Sequence, residues 1–286
     1  VTEPFNQLGR APWGPVLFNR HDINLGACLR DHGEFSAEEI DVLAGLLRPG
    51  DLVIDVGANI GALTVPLAQA VGPTGHVVAI EPQRLMFQLL CANVALNSLA
   101  NVTCLNAASG ARGGTIAVPQ IDPHNPMSPG SVSFHASLPN GAVTERVPIT
   151  PIDTLPVRLV DNVRLIKIDV EGMETQVLMG AEEVVKAFKP ALYVENDRPA
   201  NGRRLMLQLE KMGYRSWWHF PRLVRDEAPG GPSDIRERAS LNMLCLPLTH
   251  EPIDGLEPVV GYDDTAEDGY ARLIGKLTKE TAHVAS

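Results

Sequence analysis

An α/β domain, with a mostly parallel sheet and helices on both faces, is predicted by three features of the sequence. Leu52, Val53, Ile54 and Val56 form the kind of short apolar run that a strand buried on both faces requires. Similar runs recur at 76–80, 102–106, 163–169 and 191–195, alternating with segments of helical spacing. Directly after the first run comes Gly57-Ala58-Asn59-Ile60-Gly61, whose glycines let the backbone turn sharply and approach a ligand closely.

Residues 1–48 read as an N-terminal segment with a short strand at 15–18 and a brace or lid helix. Ser36 to Glu39 has the form of a capping box, and Ile40, Leu43, Leu46 and Leu47 follow at helical spacing. A core domain is read over 49–249. After its first strand, the stretch 62–71 is apolar enough for a helix, with Pro66 either in its first turn or at a kink. Gly72, Pro73 and Gly75 break that helix, and the strand at 76–80 ends in Glu81-Pro82. A helix then runs to about Asn97, with Met86, Leu89, Leu90 and Val94 as its inner stripe and Phe87 read as core. The strand 102–106 leads into a loop inserted at about 110–150. Short strands are expected there at 115–119, 131–134 and 146–149, around a proline- and glycine-rich excursion at 121–130. Long irregular loops of this kind are lids or disordered segments.

The strand at 163–169 turns into a helix carrying Val177, Leu178, Val184, Val185 and Phe188, with a break expected at Gly180. The strand 191–195, a helix at 205–212 and a strand at 214–220 follow, and 241–246 returns as an antiparallel partner. Residues 250–286, acidic and then weakly helical, read as a C-terminal tail or as the contact of a homo-oligomer.

The formal net charge of −10 disfavours nucleic acid and anionic membranes, because no basic stripe is present to displace counterions from phosphates. A small-molecule or glycan-type acceptor is the expected partner. Cys28, Cys91, Cys104 and Cys245 contain no C-x-x-C pair and read as reduced core thiols. No apolar run approaches the roughly 18 residues of a membrane span, and Val1–Phe5 lacks the layout of a signal peptide. A cytoplasmic location is expected.

Asp55, Glu81, Asp169, Glu171, Glu195 and Asp197 all fall at the carboxyl ends of neighbouring strands, where an α/β sheet places its ligand. Glu81, closing the second strand, is placed to accept hydrogen bonds from two ribose hydroxyls. The G-x-x-x-G spacing differs from the G-x-G-x-x-G that holds a pyrophosphate, and Asp55 beside it would repel one. Both features disfavour an NAD-dependent oxidoreductase and favour a cationic ligand, S-adenosylmethionine (SAM).

Asp55–Gly61, Glu81-Pro82, Lys167–Glu174 and Tyr193–Asp197 together resemble the FkbM family of SAM-dependent methyltransferases, from about Gly33 to about Leu246. The resemblance implies a Rossmann-like, seven-stranded class I methyltransferase sheet with one antiparallel strand. It also implies O-methylation of a sugar or natural-product hydroxyl. N-methylation of a peptide or amide is the alternative, and a non-catalytic SAM-binding protein is a third reading. Asp55 and Gly57 would shape the methionine end of the cofactor site, with Asn59 and Gly61 in the bend and Glu81 on the ribose. Asn106 and Ser109 would lie at the adenine edge, and Asp169 opposite the methyl group. Asp169 is the candidate base or acceptor-positioning group, with Glu195 as its catalytic neighbour, and Glu171 is read as a helix-start carboxylate. No metal is assigned. An alternative, by position in metal-dependent enzymes of this fold, has Asp169, Glu195 and Asn196 holding Mg2+. The excursion Asn125–Gly130 matches the family only loosely. His124, His135 and His219 are read as polar loop or strand-end residues, and Trp217 and Trp218 as packing.

Overall fold

Apolar strands and a glycine bend put a ligand cleft at one edge of a sheet. The computed structural model describes residues 3–131, 143–155, 162–230, 235, 238–250 and 255–284. An antiparallel hairpin opens the chain, β1 (Asn6–Ala11) against β2 (Gly14–Asn19), with Leu8 opposite Leu17. Two helices follow, α1 (Leu25–His32) and α2 (Ala37–Gly45). The first half of the core is β3 (Leu52–Val56), α3 (Thr64–Val71), β4 (His76–Ile80), α4 (Arg84–Leu96) and β5 (Val102–Leu105). A second hairpin, β6 (Gly114–Pro119) with β7 (Thr144–Ile149), carries the insertion. The second half comprises β8 (Val163–Ile168), α5 (Glu174–Met179), α6 (Glu182–Phe188), β9 (Ala191–Glu195), α7 (Pro199–Lys211), β10 (Tyr214–His219) and β11 (Asn242–Pro247). The two-residue β12 (Glu257–Pro258) and α8 (Ala266–Val284) complete it.

The main sheet has the order β12-β10-β11-β9-β8-β3-β4-β5. β5, β4, β3, β8 and β9 are parallel neighbours, and β11 is antiparallel to β9 and β10. This is the expected mostly parallel sheet with one strand more than the seven predicted. The extra strand is β12, which pairs with β10 through Trp217 and Trp218. Two residues are too few to leave an alternation in the sequence. The segment expected to be a tail is therefore built into the sheet edge, where Trp218 Nε1 donates to Asp264 at 3.0 Å.

Every residue of β3 is buried, and its side chains divide between two faces. Leu52, Ile54 and Val56 pack with Ile166, Ile168, Leu192 and Val194 on one face. Val53 packs with Val77, Leu165, Tyr193 and Leu43 on the other. Helix α3 starts late, which puts Pro66 in its first turn, where a missing N–H costs nothing. The break at Gly180 is present, dividing α5 from α6, and a Cβ there would lie 2.2 Å from the Gly110 carbonyl oxygen. Ser36 and Glu39 do not form a capping box. Ser36 is in the left-handed region, and its hydroxyl donates to the Glu39 carboxylate at 2.6 Å instead of accepting from the backbone. Of the strand expected at 131–134, residues 132–134 lie outside the described residues, and Ser131 closes a short 3-10 turn. His135 also lies outside them. Among the described residues no helix is long and apolar enough to cross a membrane.

Candidate functional site

The cleft is set by the carboxyl ends of four strands, β3, β4, β8 and β9. After β3 the chain bends through Gly57 and Asn59, both with positive φ, and the amides of Gly57 and Ala58 donate to the Ile80 carbonyl at 2.9 and 3.0 Å. Gly57 has no room for a side chain, because a Cβ would lie 1.8 Å from the Asp169 carbonyl oxygen at the tip of β8. Gly61 serves packing instead, since a Cβ there would meet Leu90 on α4 at 2.8 Å.

Above this bend is a cavity of about 480 Å3. Leu25, Phe35, Leu63 and Met86 supply apolar wall, while Gly57, Asn59, Glu81 and Gln83 line the β3–β4 side. Asp169, Glu171, Glu195 and Asp197 line the β8–β9 side. The insertion forms the opposite rim. Met127 exchanges backbone hydrogen bonds with His21 and Ile23, Gln83 donates to the Pro129 carbonyl at 2.6 Å, and Asn24 donates to the Ser128 hydroxyl at 2.5 Å. Arg238 reaches Asn24 from the other side at 2.6 Å.

Glu81 is buried, and each of its oxygens accepts one backbone N–H, from Asn59 and from Gln83, both at 2.8 Å. Burial pushes its carboxyl up to about 7 against those two bonds. Each oxygen retains a second lone pair for a ligand hydroxyl. Asp169 is the accessible carboxylate, its side chain 41% exposed. Next to it, burial and then the Asp169 charge push Glu195 well above the usual carboxylate range. Burial and Asp169 likewise push Glu171 up to about 7, although Arg198 pairs with it.

Several expected residues are absent from the cavity wall. Asp55 is fully buried beneath it, accepting from Thr64 Oγ1 at 2.6 Å and lying 3.5 Å from Lys167 Nζ. Its charge is therefore balanced within the protein and not offered to a ligand. Asn106 lies outside the lining and donates its amide to the carbonyls of Glu81 and Pro82 at 2.9 and 3.1 Å, which steadies the turn that carries Glu81. Ser109 is buried away from the lining. His219 is held by Tyr193 Oη at 2.7 Å, and burial lowers it to about 4. His124 packs edge-on against Phe5.

The alternative metal set does not assemble. Asn196 is buried with its amide on Met243 Sδ at 3.5 Å. Asp169, Glu171 and Glu195 do bring oxygens within 4.8 Å of one another, but Glu171 is already paired with Arg198. With Glu171 engaged by Arg198 and Asn196 turned to Met243, these donors do not fit a magnesium centre.

Sequence reasoning missed Lys167 and Glu39. Lys167 Nζ donates to the Gly57 carbonyl at 2.9 Å and sits 3.4 Å from Asp169, with its side chain only 5% exposed. The available signal was a lysine inside the apolar run Leu165–Ile168, where an unpaired charge would be prohibitively costly.

A model of the methyltransferase FkbM domain matches residues 55–216, from the glycine bend to the middle of β10. The chain belongs to the FkbM family of SAM-dependent methyltransferases. Similarity to individual relatives is modest. Methyltransferase sdnD of Sordaria araneosa is 25% identical over 220 residues, covering 66% of this chain and 80% of that protein. Ribosomal RNA large subunit methyltransferase E of Haloquadratum walsbyi is 39% identical over 56 residues, covering 20% of this chain and 22% of that one. The chain thus spans under a quarter of that relative's length. Among solved structures, an FkbM methyltransferase from Methylobacillus flagellatus is 21% identical with a TM-score of 0.43, covering 70% of this chain and 45% of that one. TYW2 of M. jannaschii, in complex with AdoMet, is 16% identical with a TM-score of 0.43, covering 86% and 87%.

The wall of this FkbM-family cleft fits SAM on its own chemistry. Asn59 Oδ1, Gln83 Oε1 and Glu195 Oε2 are buried oxygens with no partner among the described residues, on residues that line the cavity. Buried acceptors of this kind are costly unless a donor meets them.

Proposed function

We propose that this protein transfers a methyl group from SAM to a hydroxyl of a sugar or natural-product acceptor. The observation that carries this reading is the pair at the tips of β8 and β9. Asp169 is exposed to the cavity, while Glu195 beside it is held well above the usual carboxylate range by burial and by the Asp169 charge. Neighbouring carboxyls whose surroundings separate them in this way divide naturally into base and acid.

When bound, SAM supplies an electrophilic methyl group on its sulfonium. Glu81 would hold the ribose, Asn59 and Gln83 would present acceptor oxygens beside it, and Gly57 would face the methionine end. Leu63 and Met86 keep water from that side of the cleft. Asp169 accepts the proton of the acceptor hydroxyl as its oxygen attacks, and the Lys167 ammonium at 3.4 Å steadies that carboxylate. Glu195, whose Oε2 has no partner among the described residues, would hydrogen-bond a second polar group of the acceptor. Orientation of this kind is worth roughly 7–11 kcal/mol in well-aligned systems, and the base about two to four further orders of magnitude. A polar rim that includes Asn24, Ser128, Arg238 and Ser240 is in keeping with a polyhydroxylated acceptor, with Asn24 already bonded to Ser128 and Arg238.

A second reading, methylation of an amine or amide nitrogen, draws on the excess of carboxylates around Asp169. The test is transfer of an isotopically labelled methyl from SAM to panels of glycosides, polyols and peptides, with the product bond assigned by NMR. Label on oxygen supports the proposal; label on nitrogen selects the second reading. No uptake of SAM would overturn both.

A further inference from the structure

We propose that Lys167 is a positioning residue for methyl transfer, which locks the glycine bend and Asp169 into one geometry across the floor of the cleft. The inference rests on the SAM-dependent reading above.

Strand register places the lysine. Asp55 on β3 is directly paired with Lys167 on β8, and Lys167 in turn with Tyr193 on β9. These side chains share the sheet face that α2 covers, and the charge of Glu39 on α2, a residue itself buried, also acts on the ammonium. From there Nζ reaches the Gly57 carbonyl at 2.9 Å, Asp169 Oδ2 at 3.4 Å and Asp55 Oδ1 at 3.5 Å. Burial opposes the charge on this lysine, but Asp169, Asp55 and Glu39 outweigh it and hold Lys167 above the ordinary lysine range. The contacts divide into two kinds. Asp55 is fully buried and anchored by Thr64, which makes it a fixed post. Gly57 and Asp169 line the cavity and have to be correctly placed when a ligand arrives.

The bend depends on this hold. Gly57 sits at φ 81 against the Asp169 carbonyl, so the glycine bend and the tip of β8 are already in van der Waals contact. A cation that bonds the Gly57 carbonyl and attracts the Asp169 side chain fixes the donor side and the base side of the cleft together.

Asp55→Asn and the double variant Asp55→Asn/Lys167→Met separate the two roles. The single variant keeps the Lys167 bonds to Gly57 and Asp169, and the double variant removes the buried ion pair as a unit. Melting temperature and the Kd for SAM and S-adenosylhomocysteine, by calorimetry, are the readouts. The expected result is that Asp55→Asn binds within about threefold of wild type, while the double variant melts near the single one yet binds about tenfold or more weakly. Binding by the double variant within twofold of Asp55→Asn would overturn the proposal, and so would an equal loss in both. If the double variant does not fold, Asp55→Asn/Lys167→Gln replaces it with the same expectation. Absence of binding by the wild type would instead strike the SAM-dependent reading.

Discussion

Glu81 ties cofactor affinity to pH in a way that its surroundings make quantitative. Its carboxyl moves from 4.5 to about 7 because burial penalises the charge more than the amides of Asn59 and Gln83 relieve it. That move corresponds to on the order of 3 kcal/mol. The folded pKa is raised above the unfolded one, so this group's contribution to apo-protein stability is fully present below about 4.5 and is lost as pH rises through about 7. In the proposed pose ribose hydroxyls donate to this carboxylate, so a bound cofactor would prefer the ionised form. SAM affinity should therefore be flat above pH 7 and weaken by about tenfold for each pH unit below it. Glu81→Gln must turn an NH2 toward either the Asn59 or the Gln83 amide, donor against donor, and it loses the charged acceptor. It should bind SAM with a loss of roughly 1.5–3 kcal/mol, or roughly ten- to a hundredfold in Kd, and with no inflection near pH 7. Calorimetric titration of S-adenosylhomocysteine across this range measures both quantities. An affinity independent of pH in the wild type, or a Glu81→Gln variant that binds like it, would refute the ribose assignment.

Gly57→Ala combines a left-handed φ, about 1–2 kcal/mol, with a clash worth about 1–3 kcal/mol against the Asp169 carbonyl. Its melting temperature should fall by roughly 4–20 °C, and an unchanged one would mean that the bend has slack. Asp169→Asn should keep S-adenosylhomocysteine affinity within roughly threefold while kcat falls by about 10²–10⁴-fold, and a loss confined to Kd would make Asp169 a donor-holding group. Arg272→Ala tests the C-terminal segment. Burial works against Glu257 and Asp264, yet hydrogen bonds from Lys276 and Arg272 to Glu257, and from Arg272 to Asp264, hold both below the usual range. Their contribution is present above the unfolded carboxylate pKa and is lost as pH falls through the folded one. The variant should thus lose about 1–2 kcal/mol at pH 7, and less in acid, by thermal denaturation.

The fold was legible where burial leaves a period. Leu52–Val56 and its parallel neighbours had to be apolar on both faces, and such runs stand out in any reading. β1 was hidden because Asn6, Gln7, Gly9 and Arg10 surround one exposed Leu8, a hairpin edge with little apolar signature. α1 was hidden as well, with Asn24 at its N-terminus making no side-chain cap and no acidic residue in its first turn. Ser36 to Glu39 illustrates how a local motif can be present and still be put to another use. Tertiary packing turned Glu39 inward, where it faces Lys167.

For the site, the strand tips were readable and the side-chain directions were not. Alternation along β3 assigns Asp55 to the same face as Val53, and that face is covered by α2 and α3. Nothing local in Asp55-Val56-Gly57 says whether the acid looks into the cleft or beneath it. The decision comes from β8, more than a hundred residues later, which lays Lys167 directly alongside. A charge at a strand end is therefore ambiguous until the strands beside it are known. Two opposite charges meeting across adjacent buried strands form the support of a site, whereas Asp169, just past the end of β8 and partly exposed, opens on the cavity while keeping Lys167 at 3.4 Å. By that criterion the proposed catalytic side of this cleft is β8–β9, the proposed cofactor side is β3–β4, and Lys167 is where the two would be joined.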